Sequence, residues 1–310
     1  MQIKVRMGPQ SKAKRVMTSH RYPISEIFGP TRQGEGPQAG MYTFFVRFAG
    51  CDWDCGFGGY DKTTGKQIDL PFVCDTRYAV GPKYKKVGWH VDRMTSAEII
   101  QKLIELGAEQ DDWITLSGGN PALFLDQALS DDLRLGAGFR LAMETQGSRG
   151  ADKFPARDID CLIVSPKPPS SGMDKRFDLS ATVSLLVDKI RLSRQITAVK
   201  IVAFNEEDMN WAVEKRLEII AYARERADPP EDKNDKTYPL GHVQWYMSAG
   251  TPIEIHPEYG NISEIDAARL QIAHGLTDLW LASFKEPKKY KDWVMLAQNH
   301  VSVWGQKAGV

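Results

Sequence analysis

Apolar runs rich in β-branched and aromatic residues alternate along this chain with segments of helical spacing, and that alternation constrains the fold more than any other feature. The runs are MYTFFVRF (41–48), WITLS (113–117), FRLAME (139–144), IDCLIVS (159–165), AVKIVAF (198–204), HVQWYMS (242–248) and VSVW (301–304). Thr95 and Glu98 form a capping-box pattern ahead of AEIIQKLIELG, which stops at Gly107. Helical spacing also covers 121–133, 180–193, 206–226 and 263–275. Strands alternating with helices of this length pair in parallel through right-handed crossovers, with both sheet faces covered. The expected class is therefore α/β, as an open doubly wound sheet or a whole or partial barrel. The strand count fits an incomplete, TIM-like barrel of parallel strands better than a full one.

A chain of 310 residues with 42% hydrophobic residues can bury a large core, and one domain over 21–310 accounts for it. Residues 1–20 lack hydrophobic periodicity and carry no acidic residue, so they read as a flexible extension. RERADPPEDKNDKTYP (224–239) has prolines, charges of both signs and few apolar residues, the composition of a solvated loop. Lys plus Arg equals Asp plus Glu at 40 each, so net charge offers no attraction to nucleic acid or a membrane surface. No apolar run is long enough to span a bilayer, and the basic N-terminus has no apolar core behind it; a cytoplasmic protein is expected.

The phrases directly after the strands are AGC, SGGNP, ETQGS and SPKPPSSG. Ligands of parallel α/β folds bind at the carboxyl edge, where these glycines, hydroxyls, a carboxylate and a lysine would converge. Strand-to-helix loops are commonly rich in Gly and Ser, so one such phrase alone says little.

Three of the four cysteines fall in one segment, Cys51 and Cys55 separated by three residues and Cys74 following after eighteen more. In a reducing compartment such a cluster points to a metal rather than to disulfides. With a fourth ligand, for which His90 is a candidate, three thiolates close a structural zinc site. Without one they hold three irons of a cubane and leave the fourth open to a ligand that is not protein. A closed zinc site usually substitutes for a missing core, whereas this loop hangs from a hydrophobic strand of a large domain. Cys161, inside an apolar run, reads as a buried structural thiol.

With residues 56–71 removed the segment reads CDWDCFVCDT, which resembles the Cys, three residues, Cys, two residues, Cys pattern of radical S-adenosylmethionine enzymes; residues 56–71 are then an insert in the cluster loop. The set EIFGPTRQGEG (26–36), FVRFAGC, CDT, LSGGNPAL (116–123), ETQGS (144–148), SPKPPSSGM (165–173) and WGQKAGV (304–310), in order over nearly the whole chain, is similar to the 7-carboxy-7-deazaguanine synthase family.

That resemblance implies a lyase of 7-deazapurine (queuosine) biosynthesis that contracts 6-carboxy-5,6,7,8-tetrahydropterin to 7-carboxy-7-deazaguanine. A 5'-deoxyadenosyl radical takes the hydrogen at substrate C6, the substrate radical rearranges and recovers a hydrogen, and ammonia is lost with S-adenosylmethionine regenerated. It further implies a 4Fe-4S cluster on Cys51, Cys55 and Cys74, and Mg2+ at Thr76. S-adenosylmethionine would meet Gly119, Asn120, Glu144, Gln146, Ser165, Pro166 and Lys167. The substrate would meet Arg32, Gln33, Gly34, Glu35, Arg47, Ser117, Gln306 and Val310. The residue chemistry agrees. Arg47 offers fork geometry for a carboxylate, Glu35 can accept two N–H bonds from a pterin edge, and Mg2+ takes few protein oxygens beside those of its substrate.

Two positions depart from the common patterns. Asn120 stands where much of the superfamily has Glu, and Gln306 where the family often has His, which removes a charge and a titratable group respectively. The expected partners are an external donor of the flavodoxin or ferredoxin kind and a second copy of the chain. The rival readings are a radical enzyme acting on another heterocycle or a peptide, and a zinc-stabilised binding protein without catalysis.

Overall fold

The computed structural model describes residues 19–55, 74, 76–82, 89–187, 195–227, 239–249, 281, 283 and 285–296. Its strands form one nine-stranded sheet. They are β1 (Tyr22–Arg32), β2 (Tyr42–Phe48), β3 (Asp92–Met94), β4 (Trp113–Gly118), β5 (Arg140–Thr145), β6 (Cys161–Val164), β7 (Ile196–Ala203), β8 (Val243–Ala249) and β9 (Val294–Leu296). From β2 through β4, β5, β6, β7, β8 and β9 each strand pairs in parallel with the next in the chain. A doubly wound sheet reverses its strand order at a switch point, and this sheet does not. Unbroken progression is the order of an incomplete barrel.

The described helices include α1 (Ser96–Glu105), α2 (Gln127–Asp131), α3 (Leu179–Leu186) and α4 (Glu206–Arg226). The capping box forms: the Thr95 side chain accepts from the Glu98 amide, and Glu98 Oε2 accepts from the Thr95 amide at 2.7 Å. The segment 121–133, read as one helix, is divided. A single 3-10 turn covers Pro121–Leu123, then Asp126 caps α2 by accepting from the Leu129 amide at 2.8 Å. The spans 263–275 and 301–304, expected to be a helix and a strand, lie outside the described residues, as do 1–18, 56–71 and 228–238.

Strand alternation gives the sheet two unlike faces. Phe44, Val46 and Phe48 of β2, Ile114 and Leu116 of β4, Leu141 and Met143 of β5 and Val199 and Ile201 of β7 enter the main core with the helices. The opposite face is apolar at its amino-terminal end, where Trp113, Ala142, Cys161, Ile163 and Ala198 pack together. The residues that continue the same alternation toward the carboxyl end are Arg47, Ser117, Glu144 and Lys200. This is the inner face of the curved sheet, and its polar end is where a ligand would sit.

Three strands, β1, β3 and the three-residue β9, are not among the apolar runs read from sequence. β1 runs antiparallel to β2, and the three-residue β3 antiparallel to β1, so the edge beyond β2 is an antiparallel extension in the order β3-β1-β2. The β1–β2 connection, which contains QGEG, reaches across the inner face: a Cβ on Gly36 would stand 3.2 Å from Ile163 Cδ1 of β6. The loop thus forms one wall of the site.

Candidate active site

A cavity of about 170 Å³ opens at the carboxyl edge of the inner face. Cys51, Cys55, Cys74 and Thr76 line it together with Ser117, Gly119, Glu144, Gln146, Ser165 and Lys167. Arg32, Gln33, Gly34, Glu35 and Arg47 line the same cavity. Residues as far apart in sequence as Arg32 and Lys200 therefore share one space, as the strand-end loops of a parallel sheet allow.

The cluster loop is zipped to the loop after β4. The Gly119 amide donates to the Phe48 carbonyl at 3.0 Å and the Asn120 amide to the Gly50 carbonyl at 2.9 Å. A Cβ on Gly119 would lie 2.1 Å from the Gly50 oxygen, and one on Gly118 2.4 Å from the Phe48 oxygen. The glycines of SGGNP are thus demanded by backbone meeting backbone, in addition to any approach of a ligand.

Asn120 does not line the cavity. It is fully buried. Its side-chain nitrogen donates to Asp52 Oδ1 and to Ser148 Oγ, each at 3.0 Å, and its oxygen accepts from Thr145 Oγ1 at 2.9 Å. Asp52 also accepts from Gln146 Nε2 at 2.6 Å, and its carbonyl accepts from Arg176 at 2.8 Å. Three strand-end loops therefore hold the residue that follows Cys51. Pro166 is likewise buried behind the wall, and Gln306 and Val310 lie outside the described residues.

None of the four cysteines is in a disulfide. Burial pushes the Cys51 thiol up from its ordinary pKa; the Trp53 amide, the Lys167 ammonium and the Gln146 side chain oppose that, while Asp52 adds to it. The Trp53 amide donates to Cys51 Sγ at 3.4 Å and Gln146 Nε2 does so at 3.6 Å, donors that favour a thiolate. Among the described residues no group of three or more His, Cys, Asp or Glu side chains is arranged to hold a single metal ion. His90 is largely exposed, pairs with Asp92 at 3.0 Å and does not line the cavity. The donor set at the cavity is therefore three thiols without His90, which fits a cubane open at one iron and leaves the Cys3His zinc site without its fourth ligand.

On the other wall, Gln33 Oε1 accepts from the Gly34 amide at 2.8 Å and Arg32 donates to the Gly40 carbonyl at 3.1 Å, which sets the shape of the QGEG loop. Arg47 lies 3.4 Å from Glu26, bonds the Tyr78 hydroxyl and packs over the Phe28 ring at 5.0 Å. Burial raises the pKa of Glu26 and the Arg47 charge opposes it. Thr76 donates to the Gly118 carbonyl at 3.2 Å. Lys167 donates to Ser165 at 3.1 Å, and the loop that follows is pinned to the start of α4, where Asp208 accepts from the Ser170 amide at 3.0 Å.

One lining residue was not singled out from sequence. Lys200, in the middle of β7, has a side chain only 3% exposed and bonds both Glu35 and Glu144 at 2.7 Å. Burial alone would lower its pKa, but the two carboxylates outweigh that and hold the ammonium well above the usual lysine range. The signal was available: a lysine inside an apolar strand, in phase with the inward Ala198.

No protein-family model matches the chain. A 7-carboxy-7-deazaguanine synthase of Bacillus subtilis is 37% identical over 203 residues, covering 64% of this chain and 74% of the relative. One from Bacillus cereus is 31% identical over 294 residues, covering 94% of this chain and 99% of the relative. The crystal structure of QueE from Escherichia coli aligns over 90% of this chain and 95% of its own at 19% identity with a TM-score of 0.46, a likeness too distant to bear on fold or function. With near-complete coverage in both directions at this identity, the chain belongs to the 7-carboxy-7-deazaguanine synthase family.

Proposed function

We propose that this chain contracts the ring of 6-carboxy-5,6,7,8-tetrahydropterin to give 7-carboxy-7-deazaguanine and ammonia, with a 4Fe-4S cluster on Cys51, Cys55 and Cys74. The observation that carries the reading is the sharing of one cavity by three thiols, by the S-adenosylmethionine candidates Glu144, Gln146, Ser165 and Lys167, and by the pterin candidates Gln33, Glu35 and Arg47. When bound, the cluster and S-adenosylmethionine supply a 5'-deoxyadenosyl radical, chemistry that no side chain here could provide.

The protein's part is positioning. Lys167 and Ser165 offer an ammonium and a hydroxyl to the methionine end of S-adenosylmethionine, and Gly119 lets that end approach the backbone. Glu144 and Gln146 serve the ribose hydroxyls. Asn120 and Pro166 act from behind the wall, Asn120 through Asp52. On the pterin side Glu35 accepts the N–H groups of the guanidine-like edge, Gln33 and the Arg32–Gly34 backbone frame it, and Ser117 adds a hydroxyl. The substrate carboxylate shares the Arg47 fork with Glu26.

Thr76 donates to the Gly118 carbonyl, and its hydroxyl oxygen would hold Mg2+, which would supply positive charge for the substrate carboxylate. Gln306 and Val310, outside the described residues, are assigned to the substrate through the resemblance of WGQKAGV to the family. No helix among the described residues is long and apolar enough to cross a membrane. We place the protein in the cytoplasm, reduced by a flavodoxin or ferredoxin-like donor and paired as a homodimer.

The test is anaerobic incubation of reconstituted protein with the tetrahydropterin, S-adenosylmethionine, Mg2+ and dithionite, read by mass spectrometry. 7-Carboxy-7-deazaguanine is the expected product. Deoxyadenosine without it would keep the radical chemistry and overturn the substrate.

A further inference from the structure

Lys200 has no role in the chemistry above, yet it joins two carboxylates assigned to different ligands. It stands on β7, Glu35 on the β1–β2 connection and Glu144 at the end of β5. A buried ammonium between two carboxylates leaves the trio one negative charge. Were the ammonium absent, burial and the mutual repulsion of the two carboxylates would favour protonation of one of them.

That matters because the two protonation states of Glu35 recognise different things. Ionised, its oxygens accept from the two parallel N–H groups of a pterin edge; protonated, one oxygen becomes a donor facing a donor. The charged groups that line the cavity around Glu35 are already engaged elsewhere: Arg32 with the Gly40 carbonyl, Arg47 with Glu26, and Lys167 with Ser165. Lys200 bonds Glu35 directly, and Glu144 is the second carboxylate on that cation.

We propose that Lys200 is a positioning residue for substrate recognition, keeping Glu35 ionised and fixed against the inner face so that it can read the guanidine-like edge of the bicyclic substrate, with Glu144 as the second anchor of the same ammonium. The inference rests on the pterin reading of the cavity. It also explains why the QGEG loop, 165 positions from Lys200, is held across the sheet rather than left on its rim.

The experiment titrates 7-carboxy-7-deazaguanine into reconstituted protein with S-adenosylmethionine present, anaerobically, by calorimetry at pH values from 6.5 to 8.5. The ratio of the variant's Kd to the wild-type Kd is the readout, so that titration of the ligand itself cancels. For Lys200→Met the ratio is expected to be about tenfold or more at the acid end and to fall several-fold toward pH 8.5, as Glu35 regains its charge. Should that variant fail to give a native circular dichroism spectrum, Lys200→Met/Glu144→Gln removes one charge of each sign. It should show the same slope, reduced, because burial alone still favours protonated Glu35. A folded variant whose ratio does not change with pH would make Lys200 merely structural and overturn the inference. If the wild-type protein does not bind the compound at any pH, it is the pterin reading that fails.

Discussion

Cys74→Ala is expected to leave protein that retains almost no iron after anaerobic reconstitution and turns over no pterin, while removal of residues 56–71 leaves most of the iron in place. The reasoning is geometric. Cys74 comes after eighteen intervening residues, yet it lines the same cavity as Cys51 and Cys55 and lies 3.4 Å from Thr76, itself bonded to the Gly118 carbonyl after β4. The return of the chain is held by the sheet edge: the Gly50 amide donates to the Ala79 carbonyl at 2.7 Å and the Cys51 amide to Val80 at 3.2 Å. These contacts on either side of the third thiol lie outside the insert. Iron content and the absorbance of the brown protein report both variants, and iron retained by Cys74→Ala would remove that cysteine from the ligand set.

Gly119→Ala should be nearly as damaging, although it adds one methyl group and touches no thiol. The new Cβ would stand 2.1 Å from the Gly50 oxygen and 3.0 Å from the Cys51 amide nitrogen, and backbone cannot escape by changing rotamer. Separating the two strand-end loops breaks the bonds from Gly119 to Phe48 and from Asn120 to Gly50, which hold the residue before Cys51. Overpacking of this kind costs about 1–3 kcal/mol, and more where the clash is with backbone, for a fall in Tm on the order of 5 °C. The larger effect is on the cluster: reconstituted iron should fall several-fold and S-adenosylmethionine affinity with it. A variant with wild-type iron and weakened S-adenosylmethionine binding alone would mean that Gly119 serves the ligand and not the loop.

The parallel strands β2 and β4 to β8 were legible because each is an apolar run of four to eight residues bounded by turn residues, so their type did not depend on distant contacts; β9, three residues long, was not. β1 was not, and its own chemistry explains why. Gly29 and Pro30 interrupt it, its pairing with β2 shifts register between Phe28 and Thr31, and its outward residues are polar. The split of 121–133 turns on Asp126, whose capping role depends on an N–H it meets only once the chain has turned.

The site was legible to the extent that its residues follow strands directly. Cys51, Ser117, Glu144 and Lys167 converge because parallel strands end on one edge. What sequence could not separate was contact from support. Asn120 reads as a ligand donor from SGGNP, and only the fold shows that its amide is turned to Asp52, 68 positions earlier. Lys200 was hidden for the opposite reason: it belongs to no loop motif, and its partners, Glu35 on the β1–β2 connection and Glu144 at the end of β5, are both distant in sequence.

The central claim is that one cavity couples a radical-generating centre to a pterin and returns S-adenosylmethionine intact. The most direct measurement is the number of 7-carboxy-7-deazaguanine molecules formed per S-adenosylmethionine lost in one anaerobic reaction, both quantified by mass spectrometry. Many products are expected for each S-adenosylmethionine consumed. A ratio at or below one would contradict it, since S-adenosylmethionine would then be spent in every turnover rather than regenerated.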